Sequence, residues 1–193
     1  MKLILATNSD FRINIYKNLG FDIESITIED DEFYEDRSNF IKYVEELSKI
    51  KANSVARKFS SGIVIGTDTV VVIDDKILEK PKNIEEVRNN MKLLQGRDNI
   101  AISGVTIIDT KKKITKTFNE FTTVTFAKMD DNEIEWYINN VPNVLQCAGY
   151  SISKEGGRFV EKINGDYYNI FGVPISRIYR ELKNGFMGST SLF

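Results

Sequence analysis

Two patterns of apolar spacing meet in this chain, and together they leave it few architectures. From the amino end to about Gly96, short strand-like runs alternate with helix-like stretches. From Asn99 to Phe126 the alternation gives way to two long strand-rich runs, with Lys111 to Lys113 as the turn between them. Strands separated by helices favour parallel pairing with helical crossovers, whereas a long hairpin adds antiparallel neighbours. The expectation is an α/β fold built on a mixed, elongated central β-sheet flanked by helices.

Local signals place the elements. Lys2 to Ala6 reads as a short buried strand, Thr7-Asn8-Ser9-Asp10 as turn and N-cap residues, and the stretch to Leu19, closed by Gly20, as a helix. Phe21 to Ile28 is a second strand-like run, ended by the acidic Glu29-Asp30-Asp31-Glu32. Ser38 is expected to cap a long helix whose Phe40, Ile41, Val44, Leu47, Ala52 and Val55 share a face. Gly62 to Gly66 and Val70 to Ile73 read as two strand runs flanking Thr67-Asp68-Thr69, with Asp74-Asp75 as a hairpin turn. Asn83 with Glu86 caps a helix that stops at Gly96, and Asp130 with Glu133 starts another holding Trp136 and Tyr137. Arg158 to Ile163 is a strand bounded by Gly156-Gly157 and Asn164-Gly165. Pro174 opens a last helix to about Lys183, followed by a loose tail.

Composition narrows the chemistry. A chain of 193 residues suits one domain or two small lobes, and it contains no histidine. That absence removes Ser-His and Cys-His hydrolysis, His-ligated zinc and imidazole acid–base catalysis. Carboxylates, lysines, hydroxyls and an oxygen-ligated metal are what remain. A net charge of -2 argues against a nucleic-acid partner. The apolar run within Met1 to Thr7 is too short for a signal segment or a membrane span, so no membrane and a cytoplasmic location are expected. The single cysteine, Cys147, excludes an intramolecular disulfide and reads as a small buried residue rather than a nucleophile.

Three groups of residues could do chemistry, and each has a plainer reading. Thr7, Ser9 and Arg12 sit at a strand-to-helix turn, where backbone N–H groups and the helix dipole favour an anion; Ser9 could equally be a cap and Arg12 a solvated cation. Asp68 lies between apolar strand runs with a hydroxyl on each side, as a general base or metal ligand would; an aspartate bonding its own turn looks the same. Glu32, Lys51 and Lys80 have the types a triphosphate and its Mg²⁺ require, yet each alone reads as surface charge.

Taken together these segments resemble the Maf (septum-formation inhibitor) family of nucleoside triphosphate pyrophosphatases along almost the whole chain. Leu5-Ala6-Thr7-Asn8-Ser9-Asp10-Phe11-Arg12 resembles that family's L-A-S-x-S-P-R-R opening, Asp31-Glu32 its D-E pair, and Leu47 to Ala52 its L-A-x-x-K-A helix. Gly66 to Val71 resembles G-A-D-T-V-V, Ile77 to Pro81 I-L-G-K-P, Leu94 to Arg97 L-S-G-R, and Ser103-Gly104-Val105 T-G-V. Cys147 to Ser153 is similar to A-G-A-Y-G-I-Q, and Gly165 to Pro174 to G-D-Y-S-N-V-V-G-L-P. Each motif is weak alone; nine in register are not.

The resemblance implies a fold shared with Ham1 and inosine triphosphate pyrophosphatases: one domain over residues 1–185 made of two lobes with a cleft, and a loose tail at 186–193. It implies water attack at the α-phosphorus with release of pyrophosphate. Asp68 would be the catalytic residue. Thr7, Ser9, Arg12, Lys51 and Lys80 would hold phosphates, Thr69 and Ser153 would contact the rest of the substrate, and Glu32 with Asp68 would bind a divalent cation, Mg²⁺, Mn²⁺ or Co²⁺. A homodimer is implied as well.

Departures bear on the substrate. Phe11 stands where the family has the first arginine of its pair, Asp10 replaces its proline, Glu79 the glycine before Lys80, and Ser153 a glutamine. Phe11 and Cys147-Ala148-Gly149 resemble the branch acting on 7-methyl-GTP, whereas Thr69 resembles the dTTP/UTP branch. The expected substrate is therefore a pyrimidine triphosphate, dTTP or UTP, with CTP or a modified pyrimidine nucleotide as further candidates. The alternatives are 7-methyl-GTP, a non-standard purine triphosphate, or nucleotide sensing without turnover.

Overall fold

A computed structural model of the chain describes residues 2–28, 33–147 and 149–186. The chain divides into two compact units, the first of residues 1–69, 102–120 and 166–193, the second of 70–101 and 121–165.

In the first unit, β1 (Leu3–Ala6) pairs in parallel with β2 (Ile23–Ile26) and with β3 (Ile63–Ile73), in a register that sets Ala6 opposite Ile26 and Gly66. Parallel neighbours need crossovers, and α1 (Asp10–Asn18) and α2 (Phe40–Ala56) supply them. The strand order β2-β1-β3 continues through β5 (Asp98–Asp109) to β6 (Ile114–Phe126), consecutive strands joined by a turn in which Lys113 has φ 57. Strand alternation sorts the core onto two faces. Leu3, Leu5, Ile63 and Ile65 pack with Ile15 and Tyr16 of α1 and with Ile178 of α5 (Ile175–Glu181). Ile4, Ala6 and Val64 pack on the other face with Ala52 and Val55 of α2.

The second unit holds the end of β3, which turns back through Asp74 and Asp75 (φ 51 and 55) into β4 (Lys76–Leu78). It also holds α3 (Ile84–Leu94), α4 (Asp131–Asn140) and β7 (Val160–Gly165), which pairs antiparallel with β6. Asn83 caps α3, and Asp130 with Glu133 forms a full capping box on α4. The Tyr137 hydroxyl donates to the Ser151 carbonyl and accepts from its N–H, fixing the segment that follows α4.

The mixed sheet with flanking helices agrees with the sequence expectation; four details differ. Asn39, not Ser38, caps α2: its side-chain oxygen accepts from Lys42 N, while the hydroxyl and N–H of Ser38 are spent on Asp36. The two runs around Thr67-Asp68-Thr69 are one strand, because neighbouring strands satisfy the backbone even where the side chains turn polar. Gly156 and Gly157 lie inside a 3-10 turn (Lys154–Phe159), so β7 starts two residues later than the glycines predicted. Phe186, expected at the start of a tail, is buried and its carbonyl accepts from Lys112 at 2.8 Å; residues 187–193 lie outside the described ones.

At the end of α5, Glu181 receives Lys116 at 2.5 Å and Arg177 at 2.7 Å, with only 12% of its side chain exposed. Burial pushes its carboxyl up, but the hydrogen bonds and charges of Lys116 and Arg177 outweigh it and hold the group below the ordinary glutamate range. A depressed carboxyl stabilises fully above its unfolded pKa, about 4.3, and less as pH falls through the lower folded value. Glu181→Gln is therefore expected to cost about 1 kcal/mol at pH 7. In urea titrations the difference from wild type should shrink below about pH 4; a difference independent of pH would contradict the ion-pair origin.

Candidate active site

The site in the first unit begins where β1 ends. The Ser9 N–H donates to the Thr7 hydroxyl oxygen at 3.1 Å, and Ser9 Oγ accepts from Arg12 N at 3.4 Å as the N-cap of α1. Asn8 brackets Ile28 with both amide atoms, at 3.1 and 2.7 Å, tying this turn to the chain beyond β2. Two hydroxyls and the opening amides of a nine-residue helix thus face one end of the sheet, an arrangement suited to an anion.

Asp68 and Lys51 meet because a helix comes very close to a strand. A Cβ on Gly66 would lie 2.5 Å from Ser48 O and 2.6 Å from Ala52 N, and one on Gly104 would lie 2.3 Å from Val44 O. Without those side chains α2 settles onto β3 and β5. A buried hydroxyl contact of 2.8 Å between Ser48 and Thr106 fixes its position. Lys51, on the next turn, places Nζ 2.7 Å from Asp68 Oδ1, with 12% and 16% of the two side chains exposed. This buried ion pair joins α2 to β3 at the middle of the Thr67–Thr69 segment.

Arg12 reaches the opposite side of the same strand segment. Its guanidinium donates from Nη1 to Thr67 O at 3.1 Å, from Nη2 to Thr69 Oγ1 at 3.5 Å, and from Nε to Phe171 O at 3.2 Å. The Thr69 hydroxyl is also 2.8 Å from Ser103 Oγ, which in turn donates to Asn169 O at 3.3 Å. Phe171 and Asn169 belong to a 3-10 turn (Tyr167–Phe171) that ends at Gly172 with φ 76. A Cβ on Gly172 would lie 2.4 Å from Arg12 Nη2 and 2.5 Å from Thr69 Oγ1, so only glycine fits both the conformation and the space.

Of the expected site residues, Thr7, Ser9, Arg12, Lys51, Asp68 and Thr69 thus form one connected group within the first unit. Lys80 and Ser153 lie in the second. There Ser153 Oγ is 3.0 Å from Ser151 Oγ. Burial pushes the Cys147 thiol up, opposed by a hydrogen bond with Ser151 and by the charge of Lys80, which groups these residues within that unit. Glu32 lies outside the described residues. Sequence reasoning assigned no role to Ser103, Asn169 or Gly172; all three sat in quoted motifs, but nothing in a motif says which hydroxyl a residue touches.

Among the described residues no three His, Cys, Asp or Glu side chains gather into a metal cage. The fit to a divalent cation is that of Mg²⁺ sites with one or two carboxylates, in which substrate phosphates complete the oxygen shell; the hard oxygens of Asp68 suit it. Among the described residues no helix is long and apolar enough to cross a membrane.

Residues 2–185 match the family model described as Maf-like protein. The chain is 42% identical over 188 residues to the dTTP/UTP pyrophosphatase of Thermoanaerobacter sp. (strain X514), covering 96% of this chain and 97% of that protein. It is 38% identical over 182 residues to the dTTP/UTP pyrophosphatase of Clostridium novyi (strain NT), covering 93% and 95%. Among solved structures it is similar to the Staphylococcus aureus Ham1 protein, with TM-score 0.47 and 18% identity over 66% of this chain and 72% of that one.

Proposed function

The chain belongs to the Maf-like protein family, and from that premise we propose that it is a nucleoside triphosphate pyrophosphatase acting on dTTP and UTP. The observation that carries the reading is the buried contact between Lys51 and Asp68, 17 residues apart and on different elements. A carboxylate beside an ammonium is what attack on a phosphate anhydride requires. Asp68 orients and deprotonates the attacking water. Lys51 holds Asp68 and adds positive charge beside the phosphates. Thr7, Ser9 and the first amides of α1 accommodate the negative charge of the chain as the bond between the α-phosphorus and its bridging oxygen breaks.

A divalent cation, Mg²⁺, Mn²⁺ or Co²⁺, would be held by Asp68 and would supply further neutralisation of the charge on the phosphates. Glu32 belongs to this proposal as a second carboxylate, Lys80 as a phosphate contact and Ser153 as a contact to the rest of the substrate. So do the cytoplasmic location and the homodimer; light scattering tests the latter. Thr69 supports the pyrimidine preference through the family resemblance.

The test is a panel of dTTP, UTP, CTP, 7-methyl-GTP and ITP with Mg²⁺, run in ¹⁸O-labelled water with pyrophosphate and orthophosphate read separately. The expected result is pyrophosphate release, the label in the monophosphate, and kcat/KM for dTTP or UTP at least about tenfold above the purines. Label in pyrophosphate would exclude attack at the α-phosphorus. Preference for 7-methyl-GTP would reject the pyrimidine reading, and no turnover of any triphosphate would reject the enzyme.

A further inference from the structure

Read from the sequence, Arg12 is either a solvated cation or a phosphate ligand. Its contacts point to a third role. At least three of its N–H groups are engaged by protein acceptors, and the two acceptors on β3, Thr67 O and Thr69 Oγ1, belong to the residues immediately before and after Asp68. We propose that Arg12 is the positioning residue of Asp68, a clamp on the Thr67–Thr69 segment, rather than a ligand of the phosphates. The inference rests on the pyrophosphatase reading above.

Side-chain alternation along β3 separates the two groups. Val64 and Gly66 face α2, as does Asp68, whose carboxylate meets Lys51. Ile63 and Ile65 face α1, and Arg12 lines a small hollow with Thr7, Tyr16, Ile65 and Thr67 on that side. The guanidinium therefore grips β3 from behind, while the carboxylate works in front. Two further contacts hold the grip: the Phe171 carbonyl accepts from Nε, and the Gly172 backbone lies directly against Nη2 and the Thr69 hydroxyl. The planar fork matters because three acceptors in different directions are met by one rigid group; a lysine ammonium carries the same charge but cannot span them.

Positioning and phosphate binding predict different kinetics. A phosphate ligand contributes to binding, and lysine would restore much of it. A clamp contributes to the placement of Asp68, and a displacement near 1 Å can cost about 10²-fold in rate. In Arg12→Lys, assayed with dTTP by pyrophosphate release after its melting temperature confirms folding, the clamp predicts kcat lower by roughly 10²-fold with KM within about threefold of wild type. Thr69→Val removes one acceptor and leaves the guanidinium in place; it should show a smaller loss, also in kcat. The Arg12→Lys/Thr69→Val double variant should be no worse than Arg12→Lys alone, because the two changes break the same contact.

The clamp is overturned if most of the Arg12→Lys loss sits in KM, if lysine restores near-normal kcat, or if the two losses multiply. Should Arg12→Lys not fold, Thr69→Val decides: unchanged kcat overturns the clamp. A wild-type protein that hydrolyses no triphosphate brings down the pyrophosphatase reading and this inference with it, whereas an active wild type with any overturning pattern brings down the clamp alone.

Discussion

Asp68→Asn is expected to lower kcat for triphosphate hydrolysis by about 10³-fold or more while nucleotide affinity, measured by calorimetry, stays within a few-fold. The asparagine keeps an oxygen near the position of Oδ1, so Lys51 retains an acceptor at the place where it now sits 2.7 Å away. What is lost is the negative charge and the ability to take a proton. Because alanine would take the Asp68 acceptor away from a buried cation, that replacement would confuse chemistry with folding. The amide separates the two. A variant with close to normal turnover would remove Asp68 from the mechanism and with it the proposed site.

Gly66→Ala is expected to do large damage for the addition of a single methyl group. The new Cβ would meet three backbone atoms of α2, at 2.5, 2.6 and 3.0 Å, and backbone cannot rotate out of the way. The helix must lift from β3, giving up packing around Ala52 and drawing Lys51 off Asp68. Overpacking of this kind costs roughly 1–3 kcal/mol, and contacts with backbone put this site at the upper end. For a domain of this size that is a melting temperature lower by about 6–10 °C, with kcat down at least about tenfold in the fraction that folds. Gly62→Ala is the control: its Cβ would approach only the Ile4 Cδ1 terminus that closely, at 2.8 Å, a side-chain end that can turn aside. Equal effects of the two substitutions would show that the close approach of α2 is not what places Lys51.

Much of the local structure was legible because its causes lie within a few residues. Ser9, Asn83 and Asp130 accept from the amide three positions on, and each could be read as a cap. The turns at Asp74-Asp75 and at Gly20 and Gly96 follow from residues that tolerate positive φ. Failures occurred where a neighbour decided. Ser38 and Asn39 are both good caps, and only the capture of Ser38 by Asp36 leaves the role to Asn39. Thr67-Asp68-Thr69 looks like a break between strands, yet β3 runs through it, because pairing satisfies its backbone whatever the side chains are.

The site divides in the same way. By itself the sequence determined which chemistry was open: no histidine, a turn rich in hydroxyls before a helix, an aspartate amid apolar strand residues, and lysines of the right kind in family-like order. Only the tertiary structure decided which of these groups meet. Lys51 reaches Asp68 because two glycines let α2 approach the sheet, and Arg12 stands behind the strand because alternation along β3 turns Thr67 and Thr69 away from Asp68. The physical reason is one of range. A cap or turn is set by contacts spanning three or four residues, whereas the meeting of side chains far apart in sequence depends on strand register and on burial summed over many small apolar contacts.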